Sequence, residues 1–173
     1  MFAGFVVVCG LGLAGCVSRV TADWQKFSPP DANFSVLLPG APELENEEAK
    51  SDSQLPATTI HFATAKSPTS TFFCHYWDLS YTPENEVSAQ MAMAGARDGM
   101  IHQYEGQLVS HEESSAGGQY TETFRATLPD DGIMQGKFFI IGRRQYMLAV
   151  ARPAEDGDEE TRKFFGSFKL SDR

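Results

Sequence analysis

The sequence feature that most constrains the fold is the stretch STFFCHYWDLSY, from Ser70 to Tyr81. Alternate residues of a β-strand point to opposite sides of a sheet, and in this stretch both sets are largely apolar. The two faces carry Phe72, Cys74 and Tyr76 on one side and Phe73, His75, Trp77 and Leu79 on the other. A strand of this kind lies inside a sheet that is covered on each side. The stretch therefore predicts a layered domain.

Further segments with strand patterns, bounded by Gly, Pro, Asn or Asp, surround this one. They predict a mostly antiparallel sheet of about seven strands. The acidic segment from Pro42 to Glu48 suits an edge strand, since charge there discourages pairing with other chains. The predicted strands are Trp24–Phe27, Asn33–Leu38, Pro42–Glu48, Thr58–Ala65, Ser70–Tyr81, Gln107–Ser114, Gln119–Leu128, Ile133–Ile141 and Arg144–Ala151.

Two segments have helical patterns. The longer one is predicted to start with Thr82 as N-cap and Pro83 at the first helical position, and to end near His102 or Tyr104. The shorter one has acidic residues in its first turn and basic residues later, the order that the helix dipole favours. The longer helix has an apolar stripe of Val87, Met91, Ala94 and Ile101, and the shorter one is docked by Phe164, Phe165 and Phe168. The prediction is an α+β domain with one long and one short helix on the sheet.

Several core and turn segments resemble those of small bacterial envelope domains with the PsbP-like fold. They are Trp24 to Phe27, Asn33 to Pro39, Pro42, the central helix, Arg144 to Leu148, and Phe164 to Leu170. The resemblance implies an α/β/α sandwich around an antiparallel sheet. It also implies a binding or assembly-assisting module rather than an enzyme, and it carries no metal or partner site onto particular residues of this chain.

The N-terminal segment predicts where the protein is located. Phe2 to Leu13 is apolar or Gly, a length that suits an export signal and is too short to span a bilayer. The following Leu13-Ala14-Gly15-Cys16 resembles the lipobox of bacterial lipoproteins. This resemblance implies cleavage between Gly15 and Cys16 and lipidation of the Cys16 thiol. The predicted organisation is a signal peptide at 1–15, a short lipidated tether at 16–23 and one domain at 24–173.

This interpretation places the protein in the bacterial cell envelope, attached to a membrane through Cys16 and facing the periplasm or the exterior. One feature departs from the lipoprotein pattern, because no basic residue precedes the apolar run in Met1 to Phe5. Two alternatives remain open at this point. One is a buried N-terminal helix with an incidental cysteine, and the other is a signal peptide or uncleaved anchor without lipid.

Charge and motifs narrow the possible functions. The net charge of −9 disfavours nucleic acid as a partner, because phosphate binding depends on Lys and Arg. The chain contains no H-E-x-x-H, G-x-S-x-G, phosphate-loop or C-x-x-C motif. We therefore predict no catalytic residue, metal or cofactor. The favoured function is binding or assembly of an envelope protein partner. The alternatives are a small-molecule or metal-binding module and an enzyme with unrecognised residues; the oligomeric state is left open.

Two histidines offer a candidate metal site. His61 and His75 lie in the predicted hairpin and could fall opposite each other, where a carboxylate would complete a transition-metal site. Two separate histidines are the favoured interpretation, since a shift of one residue in register sends His61 to the other face.

Three other features have a functional and a structural interpretation. Cys74 cannot pair with His75, because adjacent strand residues point apart, and it is predicted to be a buried apolar residue. An aromatic set could line a ligand groove, although core packing is favoured for it. The acidic runs Glu43 to Glu48 and Glu155 to Glu160 lack the spacing of a calcium loop and are predicted to be solvated. The aromatic set is Phe72, Phe73, Tyr76, Trp77 and Tyr81.

Overall fold

The computed structural model describes residues 23–49, 58–155 and 158–171, and Gly15 and Cys16 lie outside these residues. The described residues form ten strands and two helices. In chain order these are β1 Trp24–Phe27, β2 Phe34–Pro39, β3 Glu43–Ala49, β4 Thr58–Lys66, β5 Thr71–Asp78, α1 Glu86–Gln103, β6 Gln107–Ala116, β7 Gln119–Leu128, β8 Gly132–Ile141, β9 Arg144–Pro153, α2 Glu159–Ser167 and β10 Lys169–Leu170.

Seven strands form one antiparallel sheet in the order β3-β4-β5-β9-β8-β7-β6. The other three form a small antiparallel sheet in the order β1-β2-β10. The predicted α+β class with a seven-stranded antiparallel sheet is confirmed. The small separate sheet and the two-residue strand β10 are additions that the sequence patterns did not indicate.

Both faces of the large sheet are covered, as the β5 sequence predicts. On one face, Phe72 and Cys74 belong to a core that includes Phe34 of β2 and Phe164 of α2. On the other face, Phe73 belongs to a second core with residues of α1. The two cores are separated by the sheet itself, so the domain has three layers.

The start of α1 differs from the prediction. The N-cap is Asn85 rather than Thr82, and the helix begins at Glu86. The side chain of Asn85 accepts a hydrogen bond from the backbone N–H of Ser88 at 3.0 Å, and Ser88 Oγ accepts one from the backbone N–H of Asn85. This reciprocal capping box satisfies N–H groups at the helix start. Thr82 lies before the helix and takes no part in the capping box.

The buried face of α1 also differs from the prediction. Val87 and Met91 are 63% and 71% exposed, and of the predicted stripe only Ile101 is buried. The row of residues that faces the core contains Arg97, whose charge is compensated by a buried carboxylate. The buried face of the helix therefore differs from the predicted apolar stripe. The buried residues of α1 are Ala89, Met93, Arg97, Met100 and Ile101.

The chain enters the domain at one end of the sheet. Trp24 packs edge-on against Phe72 at 5.4 Å between ring centroids, near the start of β5. At the other end of β1 and β2, Phe34 packs against Tyr76, near the end of β5. We call the end of the sheet at Phe72 the entry pole and the end at Asp78 the far pole.

Candidate functional site

A cleft of about 740 Å³ lies at the far pole. The ends of β2, β5, β8, β9 and β10 meet there, so residues distant in sequence share one surface. We call it the Arg143 cleft. It is lined by Asn33, Asp78, Thr82, Ile141, Gly142, Arg143, Arg144, Tyr146, Leu170 and Ser171.

Arg144 is held in place by an acidic partner. Its Nε and Nη2 donate to the two carboxylate oxygens of Asp78 at 2.6 and 2.9 Å, and its Nη1 donates to the backbone oxygen of Asp31 at 3.0 Å. The hydrogen bond from Arg144 lowers the pKa of the Asp78 carboxyl. The same bond raises the pKa of Arg144, so the two residues form a charged pair with little net charge.

Beside this pair, two tyrosines are held by hydrogen bonds, and one of them, Tyr146, lines the cleft. Tyr76 Oη donates to Asp31 at 3.3 Å, and Tyr146 Oη donates to the backbone oxygen of Ala32 at 3.0 Å. Burial, followed by the nearby Asp31 charge, raises the pKa of Tyr76 to about 12. Tyr76 therefore remains protonated at neutral pH and acts as a hydrogen-bond donor rather than as a base.

Arg143 leaves a positive charge on the rim of the cleft. Its Nε and Nη2 donate to the backbone oxygen of Leu79 at 3.0 and 2.8 Å. Among the described residues, no carboxylate lies within ion-pair distance of Arg143. The guanidinium is thus oriented by a neutral acceptor and keeps other N–H groups for a ligand. This arrangement can bind an anionic group such as a carboxylate, and it presents no activated nucleophile beside Arg143.

The favoured interpretation of His61 and His75 as two separate histidines is confirmed, and the candidate pair does not form. His61 lies opposite Tyr76 in the β4–β5 register, and Phe62 lies opposite His75, so the two histidines point to opposite faces of the sheet. His61 instead stacks on Tyr76 at 4.5 Å between ring centroids and forms a hydrogen bond with Asn46. In residues 23–49, 58–155 and 158–171, no group of three His, Cys, Asp or Glu residues is placed to hold a metal ion.

The structural interpretation of Cys74 is confirmed. The residue is buried in the core shared with Phe72, and burial raises the pKa of its thiol. Core packing is also confirmed for Phe72, Phe73 and Tyr76, which are buried. Tyr81 lies outside the core and is exposed.

The run from Glu43 to Glu48 is solvated, as predicted. In the run from Glu155 to Glu160, Asp156 and Gly157 lie outside the described residues, and Glu160 is half-buried and accepts a hydrogen bond from Ser67 Oγ at 2.8 Å. Glu43 to Glu48 lie on β3, at the edge of the large sheet, and all of their side chains are exposed. Glu159 and Glu160 lie in the first turn of α2, and Asp158 forms an ion pair with Arg152.

Sequence reasoning missed the arginines of the cleft. The sequence pattern predicts a strand that starts at Arg144 and assigns no role to Arg143, because the carboxylate and carbonyl partners are far away in the sequence. Two consecutive arginines in an acidic chain are the sequence feature that could have indicated this site. They indicate a local positive charge, although not the residues that surround it.

The comparison with solved structures agrees with this architecture. The chain is similar to the "Solution Structure of Cyanobacterial PsbP (CyanoP) from Synechocystis sp. PCC 6803", with a TM-score of 0.51 and 13% sequence identity. The alignment covers 91% of this chain and 98% of that chain. The domain has the PsbP-like fold. No family model and no curated protein matches the chain. Within the described residues of this PsbP-like domain, no helix is long and apolar enough to cross a membrane.

His75, a half-buried side chain next to the second core whose Nε2 is buried, makes folding stability depend on pH. Burial lowers the pKa of His75 from 6.5 to about 4. The unfolded chain therefore binds a proton in the range from pH 6.5 to 4 while the folded chain does not, and folding stability falls as the pH falls through this range. We expect this residue to contribute a loss of about 3 kcal/mol between pH 7 and 4.

Urea unfolding of wild type and His75→Phe at both pH values measures this contribution. The variant should lose about 3 kcal/mol less than wild type on acidification. Equal losses in the two proteins would show that His75 is not held neutral by the fold.

Proposed function

We propose that this protein is a lipid-anchored, non-catalytic accessory module of the bacterial envelope, and that it binds a partner protein through the Arg143 cleft. The observation that carries the proposal is the position of the cleft. Trp24, the first residue of β1, lies at the entry pole, whereas the cleft lies at the far pole. A domain attached through its N-terminal segment would present the cleft away from the lipid.

The lengths agree with this arrangement. Val17 to Asp23 is a tether of seven residues, which spans at most about 25 Å when fully extended. From Phe72 to Asp78, β5 advances by about 20 Å along the sheet. Lipidation of Cys16 would thus hold the entry pole near the headgroups, while the cleft remains accessible to a protein bound at or above the membrane.

The chemistry of the cleft indicates the kind of partner. The guanidinium of Arg143 is fixed by Leu79 before any ligand arrives, which reduces the entropy lost on binding. A carboxylate matches the geometry of a guanidinium, so the partner is expected to present an Asp, a Glu or a C-terminus. An exposed ion pair contributes about 1 kcal/mol or less. Apolar contact with the lining residues Ile141 and Leu170 must therefore supply part of the affinity.

Charge reversal of Arg143 tests the proposal. In cells that express the full chain, chemical cross-linking and affinity purification should recover a stoichiometric envelope protein with wild type. Arg143→Glu should lose at least about tenfold of that protein, because one attraction is replaced by repulsion of the partner carboxylate. Arg125→Glu is the matched control, since Arg125 is an exposed arginine of β7 that does not line the cleft, and it should retain the partner.

The same experiment can overturn the proposal. If Arg143→Glu and Arg125→Glu recover equal amounts of the same protein, the cleft is not the binding surface. If wild type recovers no stoichiometric protein in mild detergent, the accessory function itself is wrong. Arg143→Lys separates charge from geometry, because it keeps the positive charge but not the planar fork.

A further inference from the structure

Strand β3 is an open edge of the large sheet. In the described part of the chain the sheet has no strand beyond it, and all seven residues of β3 pair with β4 without a bulge. The other edge, β6, differs because its register shifts between Leu108 and Ser110. Bulges twist an edge away from further pairing, so β3 is the better edge for an added strand.

The side chains of β3 give this edge a negative charge. Glu43, Glu45 and Glu47 occupy alternate positions and therefore share one face of the sheet. An added strand would place its own alternate side chains beside these carboxylates, where opposite charges stabilise the pairing. A second β3 edge would bring like charges together, which disfavours a second copy of this chain as the added strand.

A groove of about 490 Å³ opens on the same face as these glutamates. Phe62 and Phe73 contribute to its floor, and Tyr104, just after α1, stands beside Phe73 at 5.3 Å between ring centroids. Glu43 and Glu45 form an acidic rim, and Lys66, the last residue of β4, lines the groove as well, so a cationic ligand group is expected beside Glu45 and Phe62 rather than beside Lys66. Aromatic rings next to carboxylates suit the aliphatic stem and the cationic head of a lysine or arginine.

A buried polar atom lies next to this groove. The ring of His75 points to the same face of the sheet and contacts Phe62 at 4.5 Å and Phe73 at 5.9 Å between ring centroids. Its Nε2 is buried and has no hydrogen-bond partner among the described residues. A ligand that enters between the two phenylalanines could form a hydrogen bond with this nitrogen, which otherwise costs free energy to bury.

We propose that β3 binds an extended segment of a partner protein that carries Lys or Arg at alternate positions, with one of these side chains in the groove. Main-chain hydrogen bonds to the β3 edge would supply affinity, and the glutamates and the groove would supply specificity. This surface is separate from the Arg143 cleft and has the opposite charge preference. The two proposals can therefore fail independently.

The test uses the full chain purified in detergent and a labelled, capped peptide of alternating lysine and threonine. Fluorescence anisotropy measures the affinity, and hydrogen exchange measures protection of the β3 amides. We expect the triple variant Glu43→Gln, Glu45→Gln, Glu47→Gln to weaken binding about tenfold, the sum of three cross-strand charge pairs. The matched control, Glu112→Gln with Glu113→Gln on β6, should change binding less than twofold, and so should Arg143→Glu.

A second peptide with the same composition, but with its lysines contiguous, controls for non-specific charge attraction. The proposal predicts that it binds more weakly and does not protect the β3 amides. Equal binding of the two peptides would show adsorption to an acidic surface and would overturn the proposal. The proposal would also fail if neither peptide bound, because the glutamates would then only prevent association at the edge.

Discussion

Cys16→Ser is expected to move the protein almost completely from the membrane fraction to the soluble fraction of the envelope. The serine hydroxyl cannot carry the thioether-linked lipid that the lipobox resemblance implies. Each buried CH₂ of an acyl chain contributes about 0.8 kcal/mol, and two or more chains give stable attachment. The net charge of −9 disfavours attachment of the domain to anionic lipid in place of the acyl chains. The variant domain should nevertheless be folded.

Fractionation of cells, combined with metabolic labelling by a fatty acid, measures this result. Wild type should sediment with membranes and carry the label, and Cys16→Ser should do neither. The matched control is Cys9→Ser, which removes a thiol from the apolar segment and should behave as wild type. If Cys16→Ser still sediments with membranes, the lipoprotein interpretation is wrong and an uncleaved apolar anchor takes its place.

The parts of the fold that the sequence predicts well are those determined by local periodicity. The β5 stretch is apolar on both faces, and the structure buries Phe72 and Phe73 in two different cores. The strands of the β6, β7 and β8 meander are also close to the predicted segments, because Gly117-Gly118 and Asp130-Asp131-Gly132 mark the turns between them. Positive φ angles at Gly117, Gly118, Asp130 and Asp131 show why these residue types stand there.

The pairing of distant segments was not predictable in the same way. The Arg143 cleft depends on β9 pairing with β5, which places Arg144 opposite Asp78 across 66 positions of sequence. The candidate pair of His61 and His75 depends on register in the same way, since a register shifted by one residue would have brought both to one face. A single sequence gives the period of a strand, but it gives neither the strand with which that strand pairs nor the register of the pairing.

The predicted buried face of α1 is wrong for a different reason. The prediction rests on a hydrophobic stripe, whereas the helix buries a charged residue, Arg97, together with Met93 and Ile101. Burial of an arginine is favourable only when a carboxylate and further hydrogen bonds compensate it. That carboxylate is Glu122 of β7, 25 positions away, in a strand where the alternation of apolar residues is otherwise regular. The pattern of apolar residues along α1 therefore gives no indication that Arg97 faces the core.

Arg97→Ala is expected to destabilise the domain by about 3 to 5 kcal/mol, the usual cost of breaking a buried ion pair by removing one partner. Glu122 is 0% exposed, and Arg97 Nη1 lies 2.5 Å from its Oε1. The other carboxylate oxygen, Oε2, already has no hydrogen-bond partner in the described residues. Loss of Arg97 would leave a buried carboxylate facing only His111, whose Nδ1 is 3.8 Å from Oε1.

Urea unfolding followed by tryptophan fluorescence measures this cost, and two variants define its origin. Asp98→Ala removes the second partner of Arg97, but the Asp98 side chain is 64% exposed, so a change below about 1 kcal/mol is expected. Arg97→Met combined with Glu122→Leu replaces both charges by apolar groups and should recover most of the lost stability. If Arg97→Ala stays within about 1 kcal/mol of wild type, the pair does not hold α1 on the sheet. In that case the second apolar core around Met93 and Phe138 does so alone.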